Sequence, residues 1–251
     1  MAYANVQSSG KLETSSGAGL SWTPGVAPTL NNLLTFRGHG WRSGGFVPGA
    51  TDVKDSSGTP KNFARDVSAT VGTAEGVTIN SLLVPSGLTT PLKNTSTATI
   101  LVGIFDEWSG NVTSTPLDTS NTKNTSTIPT GGSSTYTGAT INTSADAGLV
   151  LACFSDDDAV TETAGTLTST GSSFTQNCVE VNGSSFSYGS EVSRTATLAG
   201  QTGLGNTWSV QNTSALTLPA VDCIASYNAL PSGPPPSYDP GVFGLDARRM
   251  I

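Results

Sequence analysis

The sequence predicts an all-β protein, an antiparallel two-sheet β-sandwich followed by an extended C-terminal arm. Three observations carry this. Ser and Thr number 33 and 37, beside 29 Gly, while charged residues are only 12% of 251; Thr is β-branched and favours strands, and Ser and Gly favour turns. Short apolar runs recur between turn residues, at the intervals of a sandwich. No segment keeps a 3.6-residue period, which argues against helices.

The expected strands follow in order. Gly19–Trp22 (GLSW) precedes a Pro-rich turn, and Leu33–Arg37 (LLTFR) is separated from Trp41 by a turn-like GHG. Residues 43 to 74 read as a longer set of loops. Val77–Val84 (VTINSLLV) stops at the PSG turn. Ala98–Trp108 (ATILVGIFDEW) is the most apolar stretch and reads as a central strand. Residues 121–135 (NTKNTSTIPTGGSST) are too polar for a core and read as a loop. Tyr136–Ile141 alternates, and Gly148–Phe154 (GLVLACF) is a buried strand. Phe174–Val181, Glu191–Leu198, Thr207–Val210 and Leu218–Tyr227 complete the set, closing a domain at 12–230 after an N-terminal extension at 1–11.

Charge and composition exclude several classes. A net charge of −7 and eleven scattered Lys and Arg give no basic patch for a phosphate backbone, so no nucleic-acid partner is expected. No run of eighteen apolar residues predicts a membrane helix, and MAYANVQSSGK has no signal-peptide pattern, so assembly in a reducing cytoplasm is expected. Cys153, Cys178 and Cys223 are widely spaced; those in LVLACF and VDCIAS read as buried free thiols, and no disulfide or metal cluster is expected.

A family resemblance emerges from GLSWTP, NNLLTFRGHGWR, VTINSLLVPSG, STATILVGIFDEWSGNVTSTPLDT, SADAGLVLACFSDDD, SRTATLAG and NTWSVQNTSALTLPAVDCIASY, read in that order. The pattern, with its Asp146-Ala147-Gly148-Leu149-Val150-Leu151 strand and its Trp208–Tyr227 closing stretch, resembles jelly-roll-like β-sandwich domains of tailed-bacteriophage virion proteins and bacterial surface proteins. It spans residues 12 to 230 and departs from the family between residues 43 and 74. The resemblance implies a scaffold with no shared catalytic residues.

His39 in RGHGWR lacks a nucleophile or orienting partner at a recognisable spacing, so an exposed turn or interface histidine is expected. Asp156-Asp157-Asp158 offers carboxylates for Ca²⁺, but adjacent aspartates lack the alternating ligand spacing of a calcium loop, so a solvated loop is expected. Asp106-Glu107 reads as a similar loop, where paired carboxylates would suit glycoside hydrolysis only at a defined separation. Trp22, Trp41, Trp108 and Trp208 lie in or beside strands and are expected mainly in packing, with a sugar-binding face as the alternative. The sequons at Asn94, Asn111, Asn124, Asn142, Asn182 and Asn212 are expected on surface loops. No catalytic residue, cofactor or metal ligand is expected.

The last segment, PSGPPPSYDPGVFGLDARRMI at 231–251, differs from the body. Pro234, Pro235 and Pro236 enforce an extended path without ladder donors. Tyr238, Val242, Phe243 and Leu245 form an apolar cluster too small to fold alone, and Arg248 and Arg249 suit carboxylates on a neighbour. Pro234–Pro236, Tyr238, Phe243, Leu245, Arg248 and Arg249 are therefore the expected partner-docking residues. The sequence-level expectation is a structural protein of a tailed-phage virion, on the head surface or in the tail. Its expected partners are other virion proteins and its own copies. A carbohydrate-binding module or adhesin for host glycans is the alternative.

Overall fold

A computed structural model of the chain describes residues 3–15, 17–41, 51–71, 75–128, 132–157, 160–167, 174–182, 186–193, 198–212 and 218–230. The described residues are all-β, with no α-helix. The first half holds β1 (Ala4–Ser8), β2 (Leu12–Thr14), β3 (Leu20–Trp22), β4 (Leu33–Trp41), β5 (Val53–Lys54), β6 (Ala64–Val71), β7 (Glu75–Leu83), β8 (Leu92–Asn94) and β9 (Ile100–Ser109). The second holds β10 (Leu117–Ile128), β11 (Gly132–Ile141), β12 (Ala147–Asp157), β13 (Val160–Leu167), β14 (Thr175–Asn182), β15 (Phe186–Ser193), β16 (Leu204–Asn212) and β17 (Leu218–Asn228).

These strands form four antiparallel sheets rather than the expected two. The first half makes an inner sheet, β1-β9-β4-β7-β6 with β2 also on β9, and an outer sheet, β3-β8-β5. The second half makes an inner sheet, β10-β17-β12-β15-β14, and an outer sheet, β11-β16-β13. Subtracting eight from each label of the second half gives β2-β9-β4-β7-β6 and β3-β8-β5. The two halves therefore repeat one strand order.

The period-2 alternation of a strand explains how the layers stack. Along β9, Ile100, Val102, Ile104 and Trp108 enter a core shared with Leu149, Leu151 and Cys153 of β12 and Val221, Cys223, Ala225 and Tyr227 of β17. The other face of β9, Leu101 and Phe105, packs with Leu20 and Trp22 of β3 and Leu92 of β8. Likewise Val150, Ala152 and Phe154 of β12 pack with Tyr136 of β11 and Trp208 of β16. The inner sheets thus lie face to face, each backed by an outer sheet. Tyrosine hydroxyls help stitch the halves: Tyr3 Oη donates to the Asn228 carbonyl at 2.8 Å, and Tyr227 Oη donates to Asp66 Oδ2 at 2.6 Å.

Several expectations change. The GHG segment is no turn: it continues β4, and Gly38 faces Gly103 of β9 across the ladder. The Phe36 ring occupies the space above both glycines, where a Cβ would come within 2.5 Å of it. Residues 121–135 are largely strand, divided between β10 and β11. Residues 43–74, expected as loops, contain β5 and β6. Residues 4–8, within the expected extension, form β1, and Tyr3 is buried in the central core.

Candidate docking site

The polar residues singled out from sequence are mostly interior. His39 is 1% exposed, not at an exposed turn, and burial lowers its pKa to about 3, so it is neutral at pH 7. Arg37 Nη2 donates to Asp106 Oδ2 in a buried ion pair, while Ser155 Oγ donates to Glu75 Oε2 at 3.3 Å. Asp106 and Glu107 therefore belong to a central strand, β9, and not to a loop. Asp156 is buried within β12 rather than solvated, Asp157 ends that strand, and Asp158 lies outside the described residues.

Asp222 of β17, not singled out from sequence, accepts hydrogen bonds from Trp208 Nε1 and the Ala139 amide, both at 2.8 Å. Burial raises its pKa to about 6, against the pull of those donors. Such a carboxylate inside packed strands is an internal anchor, lacking the access that acid–base chemistry on a substrate needs. Among the described residues, no group of three His, Cys, Asp or Glu could hold a metal ion. No helix there is long and apolar enough to cross a membrane.

Cys153 and Cys223 are buried free thiols, as expected, directly opposed across β12 and β17. Trp22, Trp108 and Trp208 are buried and Trp41 is packed against the central core, so these four rings serve as packing. Two sequons depart from the surface expectation. Asn94 is buried, accepting from Ser96, and Asn111 is buried, donating to the Asn31 and Val112 carbonyls.

What the body does present is an apolar groove of about 300 Å³ at one corner of the first half. Its walls are the β3–β4 loop, with Ala27, Pro28 and Leu30, and the β7–β8 loop, with Val84, Pro85 and Leu88. The two loops are tied together: the Asn31 amide donates to the Val84 carbonyl at 3.0 Å, and the Val84 amide to the Asn32 carbonyl at 2.8 Å. Asn31 takes the left-handed φ of 66° that this turn requires, a conformation asparagine tolerates. Glu107 reaches out of β9 to accept from the Thr29 amide at 2.8 Å and Asn32 Nδ2 at 2.6 Å. Gln7 Nε2 donates to the Val26 carbonyl at 2.9 Å.

Despite this bracing, Val26 is 73% and Leu30 57% exposed. With Val6, next to Gln7 on β1, they are the exposed large hydrophobics of the described residues. Val26 and Leu30 thus stand exposed on a loop whose backbone is pinned.

The corresponding corner of the second half carries the same kind of backbone tie. There the β11–β12 loop meets the β15–β16 loop through the Thr143 amide on the Gln201 carbonyl at 2.9 Å and the Gly200 amide on the Ser144 carbonyl at 2.7 Å. Asn142 Oδ1 accepts from the Gly203 amide at 2.9 Å, and Thr143 Oγ1 donates to the Leu198 carbonyl. Leu198 is buried there, and residues 194–197 of the same loop lie outside the described residues.

The chain leaves the body beside the open corner. Ala229 bridges to Asn111 and the Leu230 amide donates to the Gly110 carbonyl at 2.7 Å. Asn111 Nδ2 in turn donates to the Asn31 carbonyl at 2.9 Å, next to Leu30. The expected docking residues Pro234, Pro235, Pro236, Tyr238, Phe243, Leu245, Arg248 and Arg249 lie outside the described residues. The groove itself was not foreseen from sequence. Its available signal was a loop carrying Val26 and Leu30 between Pro24, Pro28 and an Asn pair, outside any alternating strand. No family model, curated protein or solved structure matches the chain.

Proposed function

We propose that the chain is a non-enzymatic structural protein of a tailed-bacteriophage virion, a capsid decoration or head-surface protein or else a tail or baseplate component. Its segment 231–251 docks on neighbouring virion subunits, its own copies among them. The observation that carries the docking reading is the position of Leu230: the Pro-rich segment departs from a corner that already exposes Val26 and Leu30. A segment with three consecutive prolines and the apolar residues Tyr238, Val242, Phe243 and Leu245 is suited to hold a neighbour, because extended backbone loses little freedom on binding.

The virion reading draws on the family resemblance and on the strand order. We read the strand order β1-β9-β4-β7-β6, with β2 also on β9, backed by β3-β8-β5, and its repeat in the second half, as jelly-roll-like, an architecture common to viral capsid and lectin domains. We read the chain as two such units in tandem. A lectin would use aromatic rings as a sugar platform, and the four tryptophans are occupied in packing, which favours the structural reading.

The test is incorporation into particles. A chain ending at Leu230 keeps every described strand, and it is expected to fold and to be missing from purified particles. Normal incorporation would refute the arm, and a truncated protein that still binds host glycans on an array would favour the adhesin instead.

A further inference from the structure

We propose that Cys153 and Cys223 are a disulfide pair: a chain that folds in an oxidising medium joins them, and the finished fold shields the bond as it shields the two thiols. The pairing is independent of the docking arm.

Cys153 of β12 and Cys223 of β17 are partners in one rung of the antiparallel ladder, and both side chains enter the central core between the inner sheets. Opposed residues of an antiparallel pair have Cα atoms roughly 4.5–5.5 Å apart, inside the range that a disulfide spans. Cys178 stands in the same row of that sheet: it is opposite Ser190 of β15, which is opposite Cys153. Two strand spacings, roughly 10 Å, therefore separate Cys178 from Cys153, and three separate it from Cys223. Both gaps exceed the limit of roughly 7 Å beyond which two cysteines cannot be bridged. Of the pairings open to Cys153, Cys178 and Cys223, the sheet admits one.

The bond needs an oxidant, and a low-molecular-weight disulfide such as oxidised glutathione supplies it. One cysteine, as thiolate, attacks a glutathione sulfur, and the glutathione S–S bond breaks to release one glutathione. The second cysteine attacks the protein sulfur of that mixed disulfide and displaces the other glutathione. Two cysteine thiols are oxidised, one glutathione disulfide is reduced to two thiols, and the two protons pass to the released thiolates.

Burial decides when this happens. Cys153 and Cys223 are each 0% exposed. Burial, with the Cys153 thiol alongside, holds the Cys223 thiol well above its ordinary pKa. The folded protein thus offers the oxidant neither access nor thiolate. The exchange belongs to the folding chain, while β12 and β17 are still reachable, and the redox state set then persists. In a reducing cytoplasm the pair stays as thiols. The bond closes the loop from residue 153 to residue 223, which holds β13 to β16, and constrains the unfolded chain over that length.

The test unfolds the full-length chain in guanidinium and refolds it in a mixture of reduced and oxidised glutathione. Linked peptides are then mapped by mass spectrometry without reduction. In denaturant the shortest loop closes most readily, which favours Cys153–Cys178. On refolding, Cys153–Cys223 is expected to become the predominant link, although its loop is the longest. The oxidised protein is expected to keep the bond against dithiothreitol in native buffer and to lose it in denaturant. Its denaturation midpoint is expected to lie about 1 M guanidinium above that of the reduced protein. Cys178→Ser, outside the pair, is expected to form the same bond, and native reduced protein in the same mixture to keep both thiols. Glutathione retained on Cys153 or Cys223, a predominant link to Cys178, an oxidised chain that does not refold, or one less stable than the reduced form would each overturn the pairing. Reduction of the bond in native buffer would overturn the shielding.

Discussion

The carboxyl of Asp222 makes stability depend on pH in a direction opposite to that of most surface acids. It is fully buried, with Trp208 Nε1 and the Ala139 amide donating to it, and burial raises its pKa from 3.8 to about 6. The native state therefore holds the proton more tightly than the unfolded chain. The stability this confers is complete below about pH 4 and is lost as pH rises through 6. A shift of about two units corresponds to about 3 kcal/mol. Asp66, raised to about 6 by burial although Tyr227 and Ser81 donate to it, acts in the same window and the same direction. Asp55 opposes them: the cost of its burial is outweighed by hydrogen bonds from Lys61, Thr89 and Ser57, which lower its pKa. The perturbation is Asp222→Asn, which keeps the shape and removes the titration. Its amide sets an N–H group against a buried donor, a cost of about 1–3 kcal/mol that does not vary across the window. Guanidinium denaturation between pH 4.5 and 7.5, followed by the fluorescence of Trp208 and its fellow tryptophans, measures both effects. Wild-type stability is expected to fall on going up in pH, and Asp222→Asn to lose about 2 kcal/mol of that fall, the part of the two-unit shift that lies above pH 4.5. A variant that keeps the full wild-type slope would refute the reasoning.

Other consequences follow from the same interior. Breaking the buried Arg37–Asp106 pair by Arg37→Met or Asp106→Leu alone should cost about 3–5 kcal/mol, and the double variant less than either single one; a double-mutant cycle by chemical denaturation measures this. Gly38→Ala or Gly103→Ala places a Cβ within 2.5 Å of the Phe36 ring and 2.9 Å of a backbone carbonyl. Each should destabilise by about 1–3 kcal/mol, and Phe36→Leu should relieve only part of it, as read from melting curves. Cys153 and Cys223 should resist a thiol reagent in the native protein and react only on global unfolding, which mass spectrometry of their peptides tests.

What the sequence revealed and what it hid follow one physical division. Strands with a single buried face, or with a dense apolar run such as GLVLACF, declare themselves, and the all-β class follows from them. The inner strands β4 and β9 are buried on both faces, so their polar residues lose the alternation that would mark them as interior. His39 between two glycines looks like a turn until the Phe36 ring is seen to fill the space that Gly38 and Gly103 leave. Asp106 looks like loop until Arg37 is found beside it. At the sheet margin the failure is reversed. β10 runs along the edge beside β17 with residues 121–124 exposed, so Thr and Asn suffice there and no hydrophobic period appears.

The repeat escaped sequence reading for a related reason. Equivalent ladder positions pair Leu33 with Trp108 in one half and Leu149 with Tyr227 in the other, a large aliphatic opposite a large aromatic each time. Four residues further in, the first half pairs Arg37 with Ile104 where the second pairs Cys153 with Cys223. Packing between the inner sheets demands that a knob on one face meet space on the other, so the two halves must differ where they touch. Identity between them is erased at the interface that makes them one body. Strand order survives, because it depends on chain connection and not on which side chain fills each site. Once that order aligns the halves, the loops can be compared corner by corner. The Asn31–Val84 and Val84–Asn32 backbone bonds of one half correspond to the Thr143–Gln201 and Gly200–Ser144 bonds of the other. The tie between these loops is made by main-chain groups, so it persists while the side chains around it differ.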